Sequence, residues 1–214
     1  MSVMAPPRTS FSSSRLGSVL AFAPLGVWTV IHLWNNLYAV RGAEAWEQAV
    51  TAYPHVGVQA LTYVVVLLPL LLHALWGSLR IVQSRPNNLS YNWYPNLKYL
   101  LQRLSALGVL LFLGAHIWLA LLRPRLLLGH GEQFADISHE MRYHLPTTVV
   151  YLLGTLGVAY HLANGLQTFL MKLGMRWPRK PGDKLEWPFL LLFVVLLAMS
   201  WATIFIMWNA AGAR

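Results

Sequence analysis

The chain has 214 residues, of which 57% are hydrophobic and only 11% charged, and its formal net charge is +9. About a quarter of the residues of a soluble domain are charged, so this composition indicates an integral membrane protein. The absence of cysteine excludes disulfides, thiolate zinc sites, cysteine-held iron–sulfur clusters and covalent c-type haem within this chain.

Five apolar segments are long enough to span a membrane, since a helix needs ~20 apolar residues to cross about 30 Å of hydrocarbon. They are residues 16–39, 56–81, 97–122, 147–170 and 187–208. The first follows two arginines, as a signal peptide would, but its apolar run is too long for one. The sequence therefore predicts an all-α membrane protein, with a cytoplasmic tail at residues 1–14 and a single five-helix domain over residues 15–214.

The charges are distributed unevenly between the two sides of this topology. Eleven of the sixteen basic residues lie in the N-terminal tail and in the second and fourth connections, whereas five of the seven acids lie on the other side. Cytoplasmic segments carry the excess of Lys and Arg, which predicts a cytoplasmic N-terminus and an external C-terminus. Because topology explains the positive charge, no nucleic-acid partner is expected.

Each of the first four predicted spans contains one histidine: His32, His73, His116 and His161. Because successive helices run in opposite directions, His32 and His116 are expected near the outer face, and His73 and His161 nearer the inner face. The helices of each pair are not consecutive, so they can face each other across a four-helix core.

A facing pair of imidazoles inside a membrane suggests a metal partner. Two imidazoles do not complete a tetrahedral zinc site, but two axial imidazoles complete the coordination of a haem iron. Gly77 and Gly165 each follow a histidine by four residues, on the same helix face, where a missing side chain leaves room for a ring. We therefore predict that the first four helices form a bundle around two stacked b haems.

A second hypothesis is a haem-free transporter in which the membrane histidines relay protons. Three further histidines, His130, His139 and His144, lie in the outer loop near several acids. They can be solvated loop residues, or they can form a proton path or a lid over a ligand pocket.

Three motifs carry a family resemblance: "LLLHALWGSLRI" on the second helix, "NNLSYNWYPNLKYLLQRLSALGVLLFLGAHIW" through the third, and "YHLANGLQTFLMKLGM" at the end of the fourth. With them, the chain resembles the dihaem cytochrome b membrane anchor of succinate dehydrogenase and fumarate reductase, in its five-helix bacterial form. The resemblance covers residues 15–208, and His-x-x-Asn-Gly-Leu is its most specific part.

This resemblance implies a function. Such anchors hold a flavoprotein with FAD and an iron–sulfur protein on the cytoplasmic face of the bacterial inner membrane, and succinate is oxidised on the flavin. Electrons then reach a quinone, often menaquinone, through an inner and an outer haem. His73 and His161 match the inner haem ligands, and His32 and His116 match the outer ones. A dihaem anchor of another quinone-linked dehydrogenase remains an alternative.

Haem propionates need cationic or hydrogen-bonding partners. Arg103, just inside the third helix, is the first candidate, although it can also be an anchor that reaches the membrane interface. Ser105, Asn164 and Arg15 are secondary candidates.

The quinone site is expected from the resemblance alone. In related dihaem fumarate reductases a glutamate near the outer start of the second helix serves the quinone, and Glu47 or Glu44 falls in that region of this sequence. Both can equally be surface acids. The alternative is a site near the inner haem, with Tyr91, Trp93 and Tyr94 at its entrance.

Overall fold

The computed structural model describes residue 19 and residues 21–52, 56–83, 87, 90–91, 93–176, 178 and 180–212. In this part of the chain all regular structure is helical, in agreement with the prediction. The helices long and apolar enough to cross a membrane are Ala60–Gln83, Tyr94–Leu128, Leu145–Lys172 and Lys184–Ala210. They correspond to the second to fifth predicted spans. The first predicted span begins outside the described residues and is helical from residue 21 onward.

Seven helices, labelled in chain order, cover most of the described residues. They are α1 (Val27–Asn36), α2 (Ala43–Val50), α3 (residues 56–83), α4 (Tyr94–Ile117), α5 (Phe134–Tyr143), α6 (Leu145–Lys172) and α7 (Trp187–Ala210). Helices α2 and α5 are short and lie in connections that the sequence had predicted only as loops. Helix α4 continues to residue 128 and is therefore longer than the predicted span at both ends.

Proline and glycine account for several helix boundaries. Pro95, Pro146 and Pro188 lie in the first turn of α4, α6 and α7, where the missing N–H costs no intrahelical hydrogen bond. Gly42, with φ of 101°, separates α1 from α2, and Gly129, with φ of 74°, ends the extension of α4. Both angles lie in the left-handed region that glycine adopts without strain.

Three prolines inside helical segments coincide with π-helical turns. Pro24 lies in the turn Ala21–Gly26 that precedes α1. Pro69 lies just after the turn Tyr63–Leu67 within α3, and Pro124 begins the second of two such turns after α4. Proline removes one backbone donor and crowds the preceding turn, so the wider hydrogen-bonding pattern at these points has a local cause.

Helices α4, α6 and α7 pack side by side, whereas α3 touches α4 and the turn before α1 only sparsely. Gly154 on α6 allows the closest approach of α4, because a Cβ at this position would overlap the ring of Phe112. Helix α1 lies against α2 and α7. This uneven packing leaves a cavity between α1, α3, α4 and α6.

The two ends of the bundle differ in character. At one end, called here the capped end, α2 and α5 close the bundle with a buried cluster that contains Trp46, Phe134 and Met141. The ring of Trp46 meets that of Phe134 edge to face at 5.7 Å. The other end, called the basic end, carries Arg80, Lys98, Arg103 and Lys172 at the termini of α3, α4 and α6.

Candidate functional site

A cavity of about 700 Å³ runs through the bundle, and all four membrane histidines line it. His32 reaches it from α1, His73 from α3, His116 from α4 and His161 from α6. The sparse packing of α3 against its neighbours therefore opens space where the sequence places imidazoles.

The histidines meet as the two pairs expected from the topology. The ring centroids of His73 and His161 are 6.1 Å apart with an interplanar angle of 66°. Those of His32 and His116 are 5.8 Å apart with an angle of 70°. The His32–His116 pair is next to the capped end, and the other pair is nearer the basic end.

These separations suit two ligands of one metal ion. A metal–imidazole bond is about 2.0–2.1 Å long, so two imidazoles on opposite sides of an ion have ring centroids roughly 6 Å apart. No group of three or more His, Cys, Asp or Glu side chains in the described residues could hold a metal by itself. Each pair thus supplies two ligands, which fits a group such as haem that brings its remaining ligands with it.

A polar network surrounds the ring of His161. The amide nitrogen of Gln102 lies 3.2 Å from His161 Nδ1 and donates to its backbone carbonyl at 3.1 Å. Asn164 Nδ2 donates to the oxygen of Gln102 at 2.7 Å, and Ser105 Oγ lies 3.4 Å from His161 Nδ1. Both contacts to the ring itself, from Gln102 and Ser105, are at Nδ1, which leaves Nε2 as the nitrogen available to a metal.

His116 has a polar partner on the neighbouring helix α6 and an aromatic partner on its own helix, α4. Its Nδ1 lies 3.1 Å from the hydroxyl oxygen of Tyr151 on α6. The ring of Phe112 stacks on it at 5.4 Å, with an interplanar angle of 20°. Helices α4 and α6 therefore orient both His116 and His161 through residues of the partner helix.

His32 is held mainly by its own helix. Trp28 stacks on its ring at 4.5 Å, nearly parallel at 11°. The amide nitrogen of Asn36 lies 3.4 Å from His32 Nε2, and Trp46 Nε1 donates to the Asn36 oxygen at 3.1 Å. Trp46, at the capped end, thus orients the Asn36 amide that lies beside the His32 ring.

The glycines named from the sequence differ in their surroundings. A Cβ on Gly77 would meet no atom within 4 Å, and this residue lines the cavity next to His73. A Cβ on Gly165 would lie 3.4 Å from the Gln102 amide nitrogen. The gap at Gly165 is therefore partly filled by the network that contacts His161.

Cationic side chains line the cavity at its basic end. Arg103 does so together with Arg80 and Lys172, which had not been predicted as site residues. Arg103 donates to the backbone carbonyl of Ile81 and lies over the Tyr99 ring, with 5.4 Å between its Cζ and the ring centroid. Arg15, a secondary candidate, lies outside the described residues.

Ser105 and Asn164 occupy a different position from the one expected of propionate partners. Both are buried in the network around His161 and Gln102. The sequence contained a signal for this network, since Gln102 and Asn164 both belong to the motifs that carry the family resemblance. Which side chains they contact depends on the register between α4 and α6, and a single sequence does not contain that register.

A second polar cluster lies at the basic end. Lys98 Nζ and Glu186 Oε1 form an ion pair at 2.9 Å, Tyr94 donates to the same oxygen at 2.6 Å, and Lys98 also donates to Gln167. This cluster joins α4, α6 and the start of α7. Tyr94 is therefore part of a structural contact, while the nearby Trp93 is exposed.

The two carboxylates proposed from the resemblance lie on α2 and do not line the cavity. Glu47 Oε1 accepts a hydrogen bond from the backbone N–H of Phe134 at 3.0 Å, which ties α2 to the start of α5. Glu44 is exposed. Among the described residues, the acid that lines the cavity is Glu132, and burial raises its pKa to about 7 although nearby Arg125 lowers it.

The three histidines of the outer connection lie at or near α5. His130 Nδ1 is 3.8 Å from Asp136, His139 packs against Tyr143, and His144 Nδ1 is 2.6 Å from Thr147 Oγ1. None of them is among the described residues that line the cavity.

The fold and the histidine geometry define a helical integral membrane protein with paired imidazoles in its interior. The family model of the succinate dehydrogenase/fumarate reductase transmembrane subunit matches residues 83–203. The chain belongs to this family, and the resemblance based on the motifs is thereby confirmed.

One relative matches over nearly the whole chain. It is the succinate dehydrogenase cytochrome b558 subunit of Bacillus subtilis (strain 168), which is 27% identical over 200 residues covering 91% of this chain and 96% of the relative. No solved structure matches the chain. These similarities favour the membrane subunit of a succinate dehydrogenase over a haem-free transporter or an anchor for another dehydrogenase.

Proposed function

We propose that this chain is the dihaem cytochrome b anchor of a succinate:quinone oxidoreductase. His73 and His161 would bind one b-type haem, and His32 and His116 a second. The observation that carries the proposal is the pairing of the histidines. Within each pair, two imidazoles from different helices meet in one cavity, with ring centroids 6.1 Å apart in one pair and 5.8 Å apart in the other. When bound, the haems would supply one-electron transfer between a partner subunit and a quinone.

Helices α4 and α6 would hold the more rigid ligand of each haem. His161 contacts Gln102 and Ser105 across the helix interface, and His116 contacts Tyr151. Hydrogen-bonding partners at the other ring nitrogen fix the orientation of a metal-bound imidazole and tune its basicity. His73 and His32 lie on the more sparsely packed helices and would complete each pair.

Arg103, Arg80 and Lys172 would bind the propionates of the haem nearer the basic end. All three line the cavity there, and a carboxylate beside an arginine forms a strong, charge-assisted hydrogen bond. Cations at the mouth of an apolar cavity would also orient the amphipathic porphyrin with its propionates toward water. Arg15 would join them from the inner mouth of the first helix.

The basic end would face the cytoplasm and the partner subunits. Its excess of Lys and Arg supports this orientation, with the N-terminus inside and the C-terminus outside. A flavoprotein and an iron–sulfur protein would dock on this face and carry FAD and the clusters, since this chain has no cysteine. Succinate chemistry would take place on the flavoprotein, and quinone chemistry, with menaquinone expected from the family resemblance, on this chain.

The complete complex tests this proposal. After purification, two haems per copy of this chain are expected in a reduced-minus-oxidised spectrum, with dithionite giving full reduction. Addition of succinate should then reduce at least part of the haem. A complex that binds haem but shows no haem reduction by succinate would contradict the assigned position in the electron path.

A further inference from the structure

Most acids at the capped end already have partners that explain them. Glu140 Oε1 is paired with Arg123 at 2.7 Å, and Glu47 Oε1 accepts the Phe134 N–H at 3.0 Å. Asp136 lies 3.8 Å from His130. Glu44 is exposed and receives a long contact of 3.4 Å from Gln48. Glu140 and Glu47 thus hold α5, α2 and the adjoining turns, and Glu44 faces solvent. Asp136 Oδ2 is buried without a hydrogen-bond partner, but Asp136 does not line the cavity.

Glu132 differs from all of them. It lies just before α5 and is the one acidic residue among the described residues that line the cavity. Trp46, Ile137, Met141 and Tyr151 line the same cavity at the capped end, and these side chains are aromatic or apolar over most of their surface. No hydrogen bond from another described side chain occupies its carboxyl group.

These surroundings explain the acid–base behaviour of the side chain. Burial disfavours the carboxylate and raises the pKa of Glu132 to about 7, with Arg125 acting in the opposite direction. A carboxyl group with a pKa near the ambient pH is suited to both donating and accepting protons. The titratable and charged groups on the elements around it include Arg125, His116, Tyr151, Arg123, Glu140, His130, Asp136, His139, Arg142, Tyr143, His144, Glu47, Glu44 and His32.

The cavity is therefore polarised along its length. Among the described residues, Arg80, Arg103 and Lys172 line it at the basic end, whereas the Glu132 carboxyl group lines it at the capped end beside the His32–His116 pair. An uncharged, flat ring with carbonyl oxygens matches the capped end, because aromatic and thioether side chains can pack on its faces while one acid contacts its oxygen.

We propose that Glu132, rather than Glu47 or Glu44, is the acid that protonates a quinone bound at the capped end of the cavity. This inference rests on the proposed function, which supplies the electrons, and it deepens that function by naming the proton donor.

The reaction balances with these groups. Two electrons from succinate, delivered through the partner subunits, and two protons convert one quinone into one quinol. In the step assigned to Glu132, its carboxyl O–H bond breaks as a new O–H bond forms on a quinone carbonyl oxygen. The resulting carboxylate then takes a proton from water at the capped end, after which it can donate again.

The test compares Glu132→Gln with Glu44→Gln in the complete complex. Both variants remove one carboxylate from the same end of the molecule, but only the first changes the cavity. Succinate-driven reduction of a soluble short-chain benzoquinone is measured from pH 5.5 to 8.5. Each rate is divided by the rate with a dye that accepts electrons from the partner subunits, so that pH effects on succinate oxidation cancel.

The wild-type ratio should fall as the pH rises through about 7, because the protonated form of the acid is the active one. Glu132→Gln should lower the ratio by roughly 10²-fold, in the range known for general acids, and remove that pH dependence, whereas Glu44→Gln should leave both unchanged. In an infrared pH titration, the wild type should show a protonated-carboxyl band that disappears near pH 7 and is absent in Glu132→Gln.

Three results would overturn the assignment. They are an unchanged rate and pH profile in Glu132→Gln, an equal loss in Glu44→Gln, and loss of a haem from Glu132→Gln, which would place the acid against the haem instead. In all three, haem reduction by succinate in the wild type would leave the proposed function standing. Failure of that reduction in the wild type would instead refute the proposed function and this inference with it.

Discussion

Replacing Gln102 by Leu removes the side chain that connects α4 to His161 and Asn164. The Gln102 amide nitrogen lies 3.2 Å from His161 Nδ1 and 3.1 Å from its carbonyl oxygen, and its own oxygen accepts from Asn164 at 2.7 Å. Leucine has a similar size but no polar atom, so the change removes hydrogen bonds while largely retaining the packing volume.

The cost follows from the groups that lose their partner. Asn164 is buried, and its Nδ2 would lose its 2.7 Å contact, while His161 Nδ1 would keep only the Ser105 oxygen at 3.4 Å. A buried polar group without a partner costs about 1–3 kcal/mol, so one to two such groups predict a loss of about 1–6 kcal/mol in the free energy of unfolding.

Denaturant unfolding of the purified protein in detergent measures this loss. Gln48→Leu is the matched control, because Gln48 is exposed on α2 and its contact with Glu44 is long, at 3.4 Å. That control should change the unfolding free energy by less than about 0.5 kcal/mol. Equal stability of the two variants would refute the role given to the network around His161.

Two further substitutions test the contacts around His116. Gly154→Ala places a Cβ against the Phe112 ring that stacks on His116, so it should destabilise the protein by about 1–3 kcal/mol. Gly157→Ala is the control, because its Cβ would lie 3.5 Å from the nearest atom and should be tolerated. Similar melting temperatures of the two variants in a thermal unfolding assay would argue against the close α4–α6 approach. Tyr151→Phe removes the hydroxyl 3.1 Å from His116 Nδ1. It should raise the reduction potential of the outer haem without loss of haem, because a ligand imidazole that no longer donates through Nδ1 is less basic. A potentiometric titration measures this potential with Tyr160→Phe as the control, and identical potentials in the two variants would contradict the contact's role.

The sequence predicted those features that depend on one helix at a time. Length and apolar composition located the second to fifth spans to within a few residues, and Pro95, Pro146 and Pro188 lie at the starts of three helices as expected for this residue. The alternating direction of the helices was sufficient to pair His73 with His161 and His32 with His116.

Features that depend on contacts between helices were missed. The sequence predicts a loop over residues 130–144, but the structure has helix α5 there, which is packed against α6 and α7. Glu132 is one of the acids in this predicted loop, together with Asp136 and Glu140. Only the folded chain shows that, of these three acids, Glu132 lines the cavity. Gln102 and Tyr151 were likewise unassigned, since their partners lie 59 and 35 residues away.

Four single substitutions by Ala, at His32, His73, His116 and His161, show whether each histidine pair binds one haem. His139→Ala is the exposed control. The haem-to-chain ratio and the reduced-minus-oxidised spectrum of each purified complex are compared with the wild type. We expect two haems in the wild type and the control, and the same haem missing in His73→Ala and His161→Ala, with the other missing in His32→Ala and His116→Ala. If the two substitutions of one histidine pair removed different haems, or if the wild type held fewer than two haems, the histidine pairs would not each bind one haem.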